Sequence, residues 1–342
     1  MKKKLFALLL AAMMVLSLAA CGGGNDPAED APDDAASDGA PDSTPDSAPE
    51  GGETYVVGIS QLVTHEALDA ATRGFQDALN ELLPGQVTFD VQNAANDPAA
   101  CASIATSFVS KGVDLIMANA TPALQAAAAA TADIPILGAS VTEYGVALGI
   151  RDFTGTVGGN VSGTSDLAPL DQQAAMIQEW YPDAKNIGLL YCSNEANSQY
   201  QVDTVQACLE EMGYTCTQYA FADSNDIAAV CQTAADASDV LYIPTDNSAA
   251  SNTPIIDNIC RGNVPVFCGE ENICKGCGVA TLSISYYDIG YKTGEMAAKI
   301  LTGEAEISTM AVEYAPEFVK KYNPAICEAL NITVPEGYEA VA

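Results

Sequence analysis

Apolar residues along this chain fall into two alternating rhythms. Tyr55-Val-Val-Gly-Ile59 is a short continuous apolar run and reads as a strand. Leu68, Ala71, Phe75, Leu79 and Leu82 then share one helical face, while Asp69, Arg73, Asp77 and Glu81 lie elsewhere on the cylinder. Pro84-Gly85 ends that helix. Val87 to Val91 predicts a second strand, and Asp97-Pro98 a helix cap with proline at the first helical position. Ile104, Phe108 and Val109 form the apolar side of that helix. Val113 to Ala118 predicts a third strand, Thr121-Pro122 another cap, Ala123 to Thr131 a helix, and Ile134 to Leu137 a fourth strand.

The rhythm breaks at Gly158-Gly-Asn-Val-Ser-Gly-Thr-Ser-Asp166, which has neither period. This stretch reads as a hinge between two lobes or as a plain surface linker. Beyond it the alternation resumes with Ala174 to Trp180, Asn186 to Tyr191, Val202 to Met212, Tyr214 to Tyr219, Ile227 to Ala237 and Val240 to Ile243. It continues through Ile255 to Arg261, Val264 to Phe267, Val279 to Ile284, Ile289 to Leu301 and Met310 to Tyr314. Strands alternating with helices of this length imply an α/β fold with parallel sheets covered on both faces. The tail is too short for a third domain. It is expected to cross back to the first lobe and return, giving two parallel-sheet lobes joined by a three-crossover hinge. The expected boundaries are 54–160 with 279–308 for the first lobe, and 161–278 with 309–342 for the second.

The first 53 residues follow other rules. Lys2-Lys3-Lys4, the apolar run Leu5 to Leu16, and Leu18-Ala19-Ala20-Cys21 have the layout of a secretion signal. Cysteine at the cut resembles a bacterial lipobox. The expectation is a signal peptide over 1–20, a diacylated Cys21, and the cell membrane's extracytoplasmic face as location. The apolar run is too short for a spanning helix. Residues 21–53 contain ten acids and no base, so they predict an extended tether. The whole chain has 45 acids against 13 bases. Without tether and signal, 35 acids face 10 bases, about −25, which disfavours nucleic acid and anionic headgroups as partners.

Ligands of parallel α/β sheets bind beyond the carboxyl ends of the strands. Polar residues cluster there. They include Ser60-Gln61 with Thr64-His65-Glu66, Asn93 with Asn96-Asp97, Asn119 with Thr121, and Ser140 with Thr142. The second half adds Asn194-Glu195, Asn197-Ser198, Thr245-Asp246-Asn247 and Gly269-Glu270-Glu271. Two such rims make a cleft suited to a small zwitterion, with hydroxyls and helix N-termini for its carboxylate and an Asp or Glu for its ammonium.

The runs Val57-Gly-Ile-Ser-Gln61, His65, Ala67-Leu-Asp-Ala70, Ala120-Thr-Pro-Ala123 and Gly163-Thr-Ser-Asp166 continue into Ala196-Asn-Ser198, Pro244-Thr-Asp-Asn247 and Tyr286-Tyr287 with Gly290, Tyr291 and Gly294. In this order and spacing they resemble the ABC-transporter substrate-binding lipoproteins that include tryptophan, tyrosine and phenylalanine uptake proteins. The resemblance implies a type I periplasmic-binding-protein fold. It also implies capture of a small ligand, an aromatic amino acid first among the candidates, and delivery to an ABC permease with its ATPase. No enzyme activity, cofactor or metal is expected. The alternatives are a sugar or nucleoside receptor on the same fold, or a ligand-sensing module without transport.

The residues expected to line the ligand are Gln61, His65, Thr121, Thr142, Thr164, Ser165, Asp166, Glu195, Ser198, Asp246, Asn247, Glu270 and Tyr286, with Asp246 first for the ammonium. Several have a plainer reading. His65, the sole histidine, sits where a cap or packing residue would, and Thr121, Asp166 and Asp246 each precede a helix that they could cap. Of Tyr286 and Tyr287, one is expected to pack the hinge and the other to stack on a ring. The ten cysteines after Cys21 read as structural thiols or disulfides rather than a zinc site, although Cys274-Lys-Gly-Cys277 has CxxC spacing. Hydrolase, P-loop, zincin and dinucleotide fingerprints are absent from the sequence.

Overall fold

A computed structural model describes residues 54–315 and 317–341. The leader 1–20, Cys21 and the tether lie outside those residues. In chain order the first half comprises β1 (Tyr55–Gln61), α1 (Glu66–Leu82), β2 (Val87–Asn93), α2 (Pro98–Lys111) and β3 (Leu115–Asn119). It continues with α3 (Thr121–Ala130), β4 (Ile136–Val141), α4 (Tyr144–Leu148) and β5 (Val161–Ser165). The second half begins with α5 (Leu170–Trp180), β6 (Asn186–Cys192), α6 (Ala196–Glu211), β7 (Thr215–Phe221) and α7 (Ile227–Ala237). Next come β8 (Val240–Ile243), α8 (Asn247–Ser251), α9 (Thr253–Cys260), β9 (Val266–Cys268), α10 (Glu271–Cys277) and β10 (Ala280–Ser283). The chain ends with α11 (Tyr286–Leu301), β11 (Glu313–Tyr314), β12 (Val319–Tyr322), α12 (Pro324–Ala329) and β13 (Glu339–Ala340).

The strands form two sheets. One runs β11-β5-β4-β3-β1-β2, parallel throughout. The other runs β13-β12-β10-β9-β8-β6-β7, with β12 antiparallel to β10. Helices cover both faces, and the central strands are buried along their length, as continuous apolar runs require. The fold is α/β with two mostly parallel lobes. The chain passes between them three times, from β5 to α5, from β10 to α11 and from β11 to β12.

The sequence-based boundaries shift on three points. Residues 158–166 are not an irregular hinge: Gly158 and Gly159 turn the chain, and 161–165 form β5 of the first sheet, so the crossover starts at Asp166. Gly163 mimics a flexible linker but marks close packing. A Cβ there would lie 2.1 Å from the Gly138 carbonyl oxygen and 2.4 Å from the Tyr144 hydroxyl. Secondly, residues 280–283 belong to the second sheet, because β10 pairs with β9 and β12. Only α11 returns to the first lobe, where Gly290 lies so close to α1 that a Cβ would meet the Ala71 carbonyl oxygen at 1.9 Å. Thirdly, the last strand of the first sheet is two residues long, and β12, α12 and β13 then complete the second lobe.

Candidate functional site

Parallel registration aligns the carboxyl ends of the first sheet. Gln61 sits opposite Asn93 and Asn119, Asn119 opposite Ala139, and Val141 opposite Ser165. The second sheet ends similarly at Cys192, Ile243 and Cys268. The two rims touch. His65 Nε2 lies 3.2 Å from Asn247 Oδ1, Asn96 donates to Ser248 Oγ at 2.9 Å, and Lys275 pairs with Glu66 at 2.7 Å. The lobes are therefore closed on each other.

Three carboxylates of the second rim hold helix starts. Glu195 accepts from the backbone N–H and side-chain amide of Asn247, and from the N–H and hydroxyl of Ser248, at 2.7–3.1 Å. Asp246 caps α8 through the Ala249 N–H at 2.8 Å, and its other oxygen accepts from the Cys192 N–H at 2.7 Å. Glu270 accepts from the N–H groups of Asn272 and Ile273 and caps α10. Burial with Glu195 alongside raises the Asp246 carboxyl to about 7, and burial raises that of Glu270 to about 7. Ser198, wholly buried, hydrogen-bonds Asp246.

Asp166 differs. It is 3% exposed, and one oxygen accepts from the Tyr286 hydroxyl at 3.0 Å with Thr142 as a further hydroxyl partner. Its Oδ1 is buried with no partner. Burial raises the carboxyl to about 6 despite those bonds. Among the described residues, neither Asp166 nor Asp246 is in an ion pair with lysine, arginine or histidine. Ser60 Oγ, Asn119 Oδ1, Ser140 Oγ and Asn197 Oδ1 are likewise buried without partners. Ser140 also takes φ 53°, a strained value for a residue with a Cβ, where β4 and β5 shift register.

Other expected site residues already have partners within the protein. Gln61 turns its amide inward, donating to Asp69 and accepting from Thr72, each at 2.6 Å. Thr164 bonds to Thr293 of α11 at 2.8 Å, so its side chain fixes the helix to the sheet. Ser165 donates to the Thr142 carbonyl and accepts from the Leu167 N–H at the crossover. Thr121 is not a cap: it is the first residue of α3, and Ala120 precedes it as the cap residue with φ 97°. Tyr286 is buried against Asp166, whereas Tyr287 reaches Asp77 at an exposed position. Ser248, absent from the expected set, donates its N–H and hydroxyl to Glu195 and accepts from Asn96. A serine inside a helix start carries no sequence signal for that role.

A groove of ≈ 800 Å³ flanks the second and third crossovers, lined by Thr164, Glu270, Tyr286, Tyr291 and Lys321 among others. Its walls do not include His65, Thr142, Asp166 or Asp246. The ten described cysteines are free, mostly buried thiols, and Cys231 and Cys260 sulfurs lie 3.7 Å apart. Burial raises the Cys192 thiol to about 12.

Residues 56–342 match the family model for ABC transporter substrate binding proteins. The chain belongs to this family. It is 38% identical over 253 residues to a tyrosine-binding protein of Clostridioides difficile (strain R20291), covering 73% of each chain. The L-Trp complex of an ABC domain from Streptococcus pneumoniae overlaps it with TM-score 0.80 at 31% identity, covering 85% of this chain and 100% of the other. A ligand-free, open substrate binding protein with adhesive properties from Clostridium difficile gives 0.65 at 38% identity, covering 84% and 99%. The fold is that of type I periplasmic binding proteins, and the family binds solutes rather than converting them.

Proposed function

We propose that this substrate-binding protein captures an aromatic amino acid between its lobes and hands it to an ABC permease. Asp166 carries the reading. A buried carboxylate with a free oxygen and no cationic partner is costly, and an ammonium group placed there would satisfy both charge and geometry. A hydroxyl and a helix N-terminus remain for the ligand carboxylate, those of Ser140 and of the start of α3. The relatives named for tyrosine and L-Trp favour an aromatic side chain. Asp246, Glu195 and Glu270 act in this reading as supports that hold the second rim in shape. The chain is carried on the outer face of the cell membrane by a lipid on Cys21. Among the described residues no helix is long and apolar enough to cross a membrane.

A ligand that binds only the folded, closed protein raises its melting temperature with concentration. Thermal shifts should therefore appear with tyrosine, tryptophan or phenylalanine and not with sugars, nucleosides or metal salts. A response to sugars alone would establish the receptor on a different ligand class.

A further inference from the structure

The geometry points to His65 as the residue that selects aromatic amino acids bearing a hydrogen-bond donor on the ring. This rests on the aromatic amino-acid reading of the cleft and adds what that reading leaves open, namely which ring.

The chain of constraint begins at Glu195. A carboxylate only accepts, so the 2.7 Å contact from Asn247 fixes the Asn247 NH₂ group toward Glu195. The Asn247 carbonyl oxygen must then face His65, and it is that oxygen that lies 3.2 Å from Nε2. An amide oxygen has no proton to give, so Nε2 carries the hydrogen. Burial lowers the His65 pKa, outweighing the raising influence of Asn247, Glu195 and Asp69, and the ring is neutral. A neutral imidazole with its proton on Nε2 has a bare lone pair on Nδ1.

That nitrogen is buried and has no partner. His65 as a whole is only partly buried, yet Nδ1 itself is shielded. The position also fits the length of the ligand. His65 follows β1 and Asp166 follows β5, and these strands are separated by β3 and β4. Three strand spacings amount to about 14 Å. A tyrosine zwitterion with a hydrogen bond at its ammonium and another at its phenol spans roughly 13 Å. With the ammonium on Asp166, a phenol O–H or an indole N–H reaches toward Nδ1. Phenylalanine would leave that acceptor buried and unpaired.

Calorimetric titration of the purified protein with L-tyrosine, L-tryptophan, L-phenylalanine and 4-methoxy-L-phenylalanine tests this. The expected result is binding of tyrosine or tryptophan on the order of tenfold to a hundredfold tighter than of the two ligands without a ring donor. His65→Leu removes the latch to Asn247 for all four ligands but should bring the ratio close to one. His65→Ala, which likewise has no acceptor, serves if the leucine variant does not fold. Because the chain has one histidine, ¹⁵N-histidine labelling gives a single ring to follow. Its Nδ1 signal should move on adding tyrosine or tryptophan and stay on adding phenylalanine. Equal wild-type affinities, or a ratio preserved in the variants, would overturn the role of His65 while leaving the receptor intact. No binding of any aromatic amino acid would overturn the underlying reading and this inference with it.

Discussion

The two rims of the cleft use the same chemistry to opposite ends. On the second rim, Glu195, Asp246 and Glu270 are enclosed by N–H donors from helix starts, and every oxygen is occupied. On the first, Asp166 keeps an empty oxygen, and Ser60 Oγ, Asn119 Oδ1 and Ser140 Oγ are buried without partners along the strand ends. A buried acceptor that is fully hydrogen-bonded stabilises the lobe that contains it, whereas one left open stabilises only what comes to fill it. Apart from Asn197 Oδ1, the second rim is thus a prebuilt surface, and in the proposed reading the first rim does the recognising.

Asp166→Asn should break that contrast most visibly. The substitution keeps the shape and the hydroxyl partners but removes the charge. Ligand affinity should fall roughly a thousandfold, about 4 kcal/mol, since a buried charge-assisted contact is lost. The ligand-free protein should melt at a higher temperature, because an uncompensated buried carboxylate is gone. Calorimetric titration and scanning calorimetry on the same preparation would read both. Unchanged affinity would remove Asp166 from the site.

Glu195→Ala should produce the complementary result. Four donors on Asn247 and Ser248 would lose their acceptor inside the protein, a cost of about 3 kcal/mol to folding. Denaturant unfolding would show it without ligand. Affinity should drop much less than in the Asp166 variant once the protein is folded. A stable Glu195→Ala protein with abolished binding would reverse the assignment of the two rims.

The fold was readable from the chain because its strands are buried on both faces and its helices are amphipathic, so the alternation survives in the apolar pattern. The lobe boundaries were less so. β5 consists of Val-Ser-Gly-Thr-Ser, and its small polar residues hide a strand packed against Tyr144 and α11. β12, with two lysines, pairs only after the chain has crossed back, which no local period records. At the site, sequence placed polar residues at the strand ends but not their direction. Gln61 ends a strand and Asp246 follows one, as Asp166 does, yet the first faces α1 and the second caps α8. Which oxygen is left free is decided by tertiary packing alone.

The contrast between rims also has a pH signature, the smallest effect of the set. Burial raises Asp166 to about 6, and Asp246 and Glu270 to about 7, above the ordinary carboxyl range. The folded state then holds protons that the unfolded chain has already released, so stability falls as pH rises from about 4 toward 7. Each such group contributes at most about 1.4 kcal/mol per pH unit. On the acid side the opposite holds for Asp90, Asp239 and Glu271, whose carboxyls are depressed by hydrogen bonds outweighing burial, so their stabilisation disappears as pH falls below about 4. The ligand-free melting temperature should therefore peak near pH 4–5 and decline toward neutrality. An ammonium ligand prefers ionised Asp166, so affinity should rise through about pH 6 and then level, flattening the decline in the saturated protein. Scanning calorimetry from pH 4 to 8 with and without tyrosine separates the two rims: Asp166→Asn should lose the ligand-dependent part of the slope and keep the part owed to Asp246 and Glu270. Parallel curves with and without ligand in the wild type would mean that Asp166 does not change its ionisation on binding.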